Sequence, residues 1–210
     1  EEGVPNELIM AEDEKTVVKT RYLSSGQQIV RVDEEKFFKE KNACALFEKL
    51  QANINANDLL ILSDYGKGSI GDVNKIIEWC QERLIRVFVD PKGRDFFKYS
   101  NAFLLTPNRR EFEVVAGVTH NQKEFNIKAY QLRKELNLNY LLVKKDKEGM
   151  TLYGDEEHWH FNANKCEVID VTGAGDTVIA TLAFLIQEHV SIKKACEMSS
   201  VTAASVISQK

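Results

Sequence analysis

The sequence predicts an α/β fold built on a largely parallel sheet, and three observations carry that prediction. Unbroken apolar runs of four to six residues recur along the chain. Stretches of helical apolar spacing separate them. No repeat, linker or low-complexity segment divides the 210 residues. Apolar runs without alternation are what strands covered on both faces require, and helices between them supply the crossovers of parallel pairing.

Taken in order, T-V-V-K-T-R-Y-L (16–23) and Q-Q-I-V-R-V (27–32) flank Ser24-Ser25-Gly26, which reads as a hairpin. Helical spacing runs from Phe37 to Ala52. D-L-L-I-L-S (58–63) is the first apolar run, followed by the helix-like G-D-V-N-K-I-I-E-W-C (71–80). I-R-V-F-V-D (85–90) and A-F-L-L-T (102–106) are the second and third runs. Helical stretches at Arg109–Ala116 and Lys123–Leu136 lead to Y-L-L-V-K (140–144). G-M-T-L-Y (149–153) and H-W-H-F-N (158–162), split by Gly154-Asp155, predict an antiparallel hairpin added to the sheet. Val168 and Ile169 close a further strand, and helices follow at about 174–188 and 191–207.

Composition excludes several functions. Twenty-eight basic and 32 acidic side chains leave a net charge of −4 with the signs interspersed, so no basic stripe points to nucleic acid. No apolar run approaches the roughly 20 residues that cross a bilayer. Glu1-Glu2-Gly3 does not read as a signal peptide. Cys44, Cys80, Cys166 and Cys196 form no close pair, which suits reduced packing residues in a cytoplasmic protein better than disulfides or zinc. His158 and His160 share a strand face, as a metal pair could, but the pattern favours two residues of an exposed strand beside a turn.

In parallel sheets, ligands bind beyond the carboxyl ends of the strands. Three such ends carry polar residues with Gly or Pro nearby: Asp64–Lys67, Asp90–Lys92 and Thr106–Glu111. A fourth candidate is D-V-T-G-A-G-D-T (170–177), where small residues open a helix and let backbone N–H groups meet an anion. A dinucleotide fingerprint needs a third glycine where Val178 stands, and a Walker loop needs G-K-[ST] where the chain has G-D-T. Asp176 fits either a helix cap or a general base. Phosphoryl transfer to an alcohol needs a carboxylate beside the hydroxyl and N–H donors beside the phosphoryl group, and G-A-G-D supplies both.

D-V-T-G-A-G-D-T resembles the C-terminal signature of the PfkB (ribokinase-like) sugar kinases, usually D-T-x-G-A-G-D, with Val171 and Thr172 as the differences. Asn108-Arg109-Arg110-Glu111, after Thr106-Pro107, resembles the N-x-x-E landmark of the same family. K-T-R (19–21), Q-Q-x-x-R-x-D (27–33), L-S-D-Y-G-K-G (62–68) and V-D-P-K-G (89–93) resemble its heptose-7-phosphate kinase branch, and the matches extend from about Lys15 to Ser205.

The resemblance implies a three-layer α/β/α fold and transfer from Mg²⁺-ATP to the C1 hydroxyl of a heptose 7-phosphate, in ADP-heptose and lipopolysaccharide synthesis. Asp176 would be the base, with Gly173, Ala174 and Gly175 as the anion hole. Asn108, Arg109, Arg110 and Glu111 would bind ATP, Glu111 also meeting the metal, and Lys92 would meet nucleotide phosphates unless it is simply solvated. Lys19, Arg21, Asp64 and Lys67 would hold the sugar phosphate and its hydroxyls. Lys19 and Arg21 share a strand face, which suits a phosphate but also a cross-strand charge pair with Asp33 or Glu34. V-K-K-D-K-E-G (143–149) falls in the family's nucleotide-contacting segment.

Such kinases run to about 300 residues, typical of large single-domain α/β enzymes, and begin with a glycine pair that grips the sugar. The chain is therefore expected to be one partial kinase domain. Residues 1–35 would be the remainder of the sugar-binding β region, and 36–210 the nucleotide-binding and catalytic core. The expected partners are ATP and a small sugar phosphate, with no nucleic acid or membrane and with room for a homodimer. A different PfkB sugar, or a non-catalytic nucleotide-binding module, are the alternatives.

Overall fold

The computed structural model describes residues 17–24, 27–34, 40–164 and 173–208. Cys166 and the strand read at Val168-Ile169 lie outside the described residues. The chain forms two compact units, one of Glu1–Asn53 with Tyr65–Gly71 and one of Ile54–Asp64 with Asp72–Lys210.

The first unit holds an antiparallel pair, β1 (Val18–Ser24) and β2 (Gln27–Glu34), and helix α1 (Glu40–Asn53). Lys19 pairs with Asp33 and Arg21 with Arg31, so these four share a face. Val18, Tyr22, Val30 and Val32 lie on the other face and are exposed. Asp33 meets Arg31 of its own strand at 2.8 Å, while Lys19 Nζ lies 5.5 Å above the Tyr65 ring.

The second unit is a six-stranded sheet in sequence order: β3 (Leu59–Ser63), β4 (Arg86–Asp90), β5 (Leu104–Leu105), β6 (Tyr140–Lys144), β7 (Met150–Tyr153) and β8 (His158–Phe161). β3 to β6 are parallel, and β7 and β8 are antiparallel, as the hairpin pattern predicts. The run at 102–106 yields only two strand residues. Phe103 and Thr106 nonetheless donate their N–H groups to Val87 and Val89 of β4, so the run still follows its neighbour. The 3₁₀ turns at Phe97–Tyr99 and Asp146–Glu148 are too short to leave a periodic signal.

Helices α2 (Val73–Gln81), α3 (Arg109–Ala116) and α4 (Gln122–Glu135) start at Asp72, Asn108 and Asn121, each of which accepts a backbone N–H of the first turn. They cover one sheet face. Helices α5 (Ala174–Gln187) and α6 (Ile192–Ile207) cover the other. Alternation along the strands divides the two cores. Phe88, Leu104, Leu142 and Leu152 pack with Ile179, Leu182 and Ala195 of α5 and α6. Val87, Leu105, Leu141 and Tyr153 point the opposite way, where the tilted rings of Phe112 and Phe125 pack with centroids 4.6 Å apart and Phe125 meets Tyr153 at 6.5 Å. Cys80 and Cys196 are buried free thiols, and burial pushes them up to about 11 and about 12. No helix among the described residues is long and apolar enough to cross a membrane.

Lys145 is 4% exposed. Its Nζ sits 4.1 Å above the Phe125 ring and 3.3 Å from Gln122 Oε1. Burial lowers its pKa below the ordinary 10.5. The unfolded chain then binds the proton more tightly than the folded one, so stability rises with pH and levels off above the unfolded value. Urea midpoints of the wild type, relative to Lys145→Met, should therefore climb as the pH rises toward about 10.5 and level off above it. A flat difference would mean that the ammonium pays no desolvation cost.

Candidate active site

Parallel pairing in register brings the carboxyl ends of β3 to β6 to one edge of the second unit, and several of the polar residues read at those ends, Asp64, Asp90, Lys92, Thr106, Asn108 and Glu111, lie there. Ser63 pairs with Asp90, and the Asp64 N–H donates to the Asp90 carbonyl at 3.1 Å. Asp64 is 6% exposed, and its Oδ2 accepts from Lys98 Nζ and the Tyr99 hydroxyl, each at 2.6 Å. Burial, then this bond to Asp64, pushes the Tyr99 phenol well above its usual range. The same hydroxyl accepts from the Lys92 N–H at 3.0 Å, tying the ends of β3 and β4 together.

The N-x-x-E motif is a capping box. Asn108 Oδ1 accepts from the Glu111 N–H at 2.9 Å, and Glu111 Oε2 accepts from the Asn108 N–H at 3.0 Å. Glu111 Oε1 turns outward to Lys92 Nζ at 2.9 Å. Lys92, with 55% of its side chain exposed, is therefore both solvated and paired with the glutamate that begins α3. Arg109 is held by Glu148 at 2.8 Å and by Glu113 at 3.5 Å, whereas Arg110 is exposed.

Gly173 caps α5 in the left-handed conformation, at φ 80°, without a side-chain bond. Asp176 stands exposed in the first turn rather than at the cap. Thr177 secures the turn instead, donating its N–H at 2.8 Å and its hydroxyl at 2.9 Å to the Gly173 carbonyl. This end of α5 faces the end of β6, because a Cβ on Gly175 would lie 3.1 Å from Lys144 Nζ. Lys144 bonds to Asp90 Oδ1 at 2.8 Å, and that oxygen also accepts from Thr106 at 3.2 Å.

The structure thus gathers Asp64, Lys92, Asn108, Glu111 and Gly173–Asp176 at one end of one unit. Lys19, Arg21 and Lys67 belong to the other unit. Sequence reading missed Lys98, Tyr99 and the Lys144–Asp90 pair. A lysine ending the apolar run Y-L-L-V-K is the only local trace of that pair.

Among the described residues no group of three or more His, Cys, Asp or Glu could cage a metal. His158 bonds to Tyr130 at 3.0 Å, and His160 to Thr151 at 3.0 Å. A hollow of about 340 Å³ beside Arg133 and Asn137 opens at the amino ends of β5 and β6, away from these groups. Glu111 offers a single carboxylate, its Oε1 paired with Lys92, so a Mg²⁺ held there would draw its remaining ligands from water and other oxygens.

Residues 1–210 match the family described as pfkB family carbohydrate kinase. Over 193 residues the chain is 43% identical to the bifunctional protein HldE of Histophilus somni, covering 91% of this chain and 41% of that protein. Over 202 residues it is 41% identical to an uncharacterized sugar kinase of Buchnera aphidicola, covering 96% of this chain and 64% of that one. The chain therefore spans less than two thirds of either relative. Phosphofructokinase-2 from Escherichia coli, in complex with substrates and products, shares the fold at TM-score 0.76 and 16% identity over 91% of this chain and 64% of that chain. Ribokinase from Thermotoga maritima shares it at TM-score 0.67 and 21% identity, over 92% and 64%.

Proposed function

Because this chain belongs to the pfkB family of carbohydrate kinases, we propose that it carries the nucleotide-binding and catalytic core of an ATP-dependent sugar-phosphate kinase. The acceptor is the C1 hydroxyl of D-glycero-D-manno-heptose 7-phosphate, and the product is the 1,7-bisphosphate of ADP-heptose synthesis in the cytoplasm. One observation supports this reading above the others. An exposed carboxylate, Asp176, stands in the first turn of a helix whose cap, Gly173, carries no side-chain bond, at the same sheet end as the Asn108–Glu111 box.

Asp176 takes the proton from the C1 hydroxyl as its oxygen attacks the γ-phosphorus of ATP. The bond from that phosphorus to the β-phosphate oxygen breaks and ADP leaves. The N–H groups of Gly173, Ala174 and Gly175 meet the charge on the phosphoryl oxygens as it moves, helped by the positive end of α5. Glu111, positioned by its capping box, would hold Mg²⁺, which would supply charge neutralisation to the phosphates. Lys92 and Arg110 face the phosphates as exposed cations. Asp64, at the end of β3 in the same unit, meets a hydroxyl of the sugar. The exposed apolar face of the hairpin supports a homodimer.

The test is a substrate panel. ADP release is measured with the heptose 7-phosphate, fructose 6-phosphate and ribose, with and without Mg²⁺, on samples whose mass is set by light scattering. Turnover on the heptose alone is expected. Turnover on another sugar would move the assignment elsewhere in the family, and nucleotide binding with no turnover would make this chain a binding module.

A further inference from the structure

We infer that Lys144 binds the terminal phosphoryl group of ATP at the start of α5, an inference that rests on the kinase reading above. Electrostatics makes the position of this lysine informative. A helix N-terminus carries about half a positive charge, so a cation placed there is repelled unless an anion joins them. Lys144 stands there all the same, 3.1 Å from where a Cβ on Gly175 would be. Its side chain is 18% exposed, too enclosed to withdraw into bulk water.

Asp90 offsets part of that charge at 2.8 Å, but through an oxygen it shares with the Thr106 hydroxyl. An ammonium has three N–H donors, and Asp90 accounts for one of them. The backbone of Lys144 is held on both sides of this contact. Its N–H donates to the Pro107 carbonyl at 2.9 Å, and the residue bridges to Asn108 in parallel register. The ammonium is thereby set between Asp90 and the N–H groups of α5, and phosphate oxygens between cation and helix would satisfy both. Glycine at 175 serves this geometry, since a side chain there would push the ammonium aside by a few tenths of an ångström.

Calorimetric titration with the β,γ-imido analogue of ATP and with ADP, both as Mg²⁺ salts, tests the assignment. Lys144→Met keeps most of the unbranched side chain and removes its charge. It should weaken the triphosphate about tenfold or more while changing ADP less than about twofold, and Lys144→Arg should restore most of the loss. If Lys144 only balanced Asp90, adding Asp90→Asn to Lys144→Met would restore triphosphate binding; no restoration is expected. Equal losses on both nucleotides, or restoration by Asp90→Asn, would overturn the inference and leave the kinase reading intact. A wild type that bound neither nucleotide would sink the kinase reading itself, and this inference with it.

Discussion

Replacing Asp176 with asparagine is expected to lower kcat about a thousandfold, the size of effect found when a positioned general base is removed. The substitution keeps shape and removes basicity, so it isolates the proton transfer. Folding should be unaffected within about 0.5 kcal/mol, as for exposed sites that carry no structural bond. Gly173 and Thr177, not Asp176, make the bonds that start α5. Nucleotide affinity should stay within about threefold of wild type, because a group needed only in the transition state leaves ground-state binding alone. The measurement is steady-state turnover on the best sugar of the panel, alongside calorimetry with ATP. Near-normal turnover would remove Asp176 from the base role. A large loss of nucleotide affinity with unchanged kcat would place it in binding instead.

Gly149→Ala should cost stability most heavily. Gly149 follows the 3₁₀ turn at Asp146–Glu148 with φ 89° and ψ −134°, a region essentially closed to residues with a Cβ. A Cβ there would lie 2.0 Å from the Phe161 carbonyl oxygen, 2.6 Å from the Ala163 nitrogen and 2.8 Å from the Asn162 carbonyl carbon. These are backbone atoms at the end of β8 and cannot rotate out of the way. Conformational strain of roughly 1–3 kcal/mol and overpacking of similar size together give about 4 kcal/mol. That is a large share of the roughly 5–15 kcal/mol that holds an ordinary domain. Gly93→Ala is the natural control. Its φ is 97°, but a Cβ would meet nothing within 4 Å, so strain acts there alone. Urea unfolding should rank Gly149→Ala well below Gly93→Ala. Equal costs would show that the β8 backbone yields freely.

Local features of this protein were legible because their causes are local. The helix read at Arg109–Ala116 has those bounds because Asn108 and Glu111 lie three residues apart and cap it reciprocally. The same spacing made N-x-x-E visible as a motif. The hairpin of β7 and β8 followed from two short runs on either side of Gly154-Asp155. The run at 102–106 was legible as apolar and extended, although its strand is confined to Leu104–Leu105. The G-A-G-D loop could be read as a helix start with an acidic first turn, since glycine and aspartate have strong positional preferences there.

Sequence alone determined the fold class and the order of the described elements, and it pointed to the glycine turn proposed to carry the chemistry. Only the tertiary structure decided which charges meet. Lys92 and Glu111 are 19 residues apart, Lys98 and Asp64 are 34 apart, and Lys144 and Asp90 are 54 apart. No local pattern links such residues. Parallel strands in register bring their carboxyl ends to one edge whatever chain length separates them, and the glycine at 175 then lets the last of those pairs stand against α5.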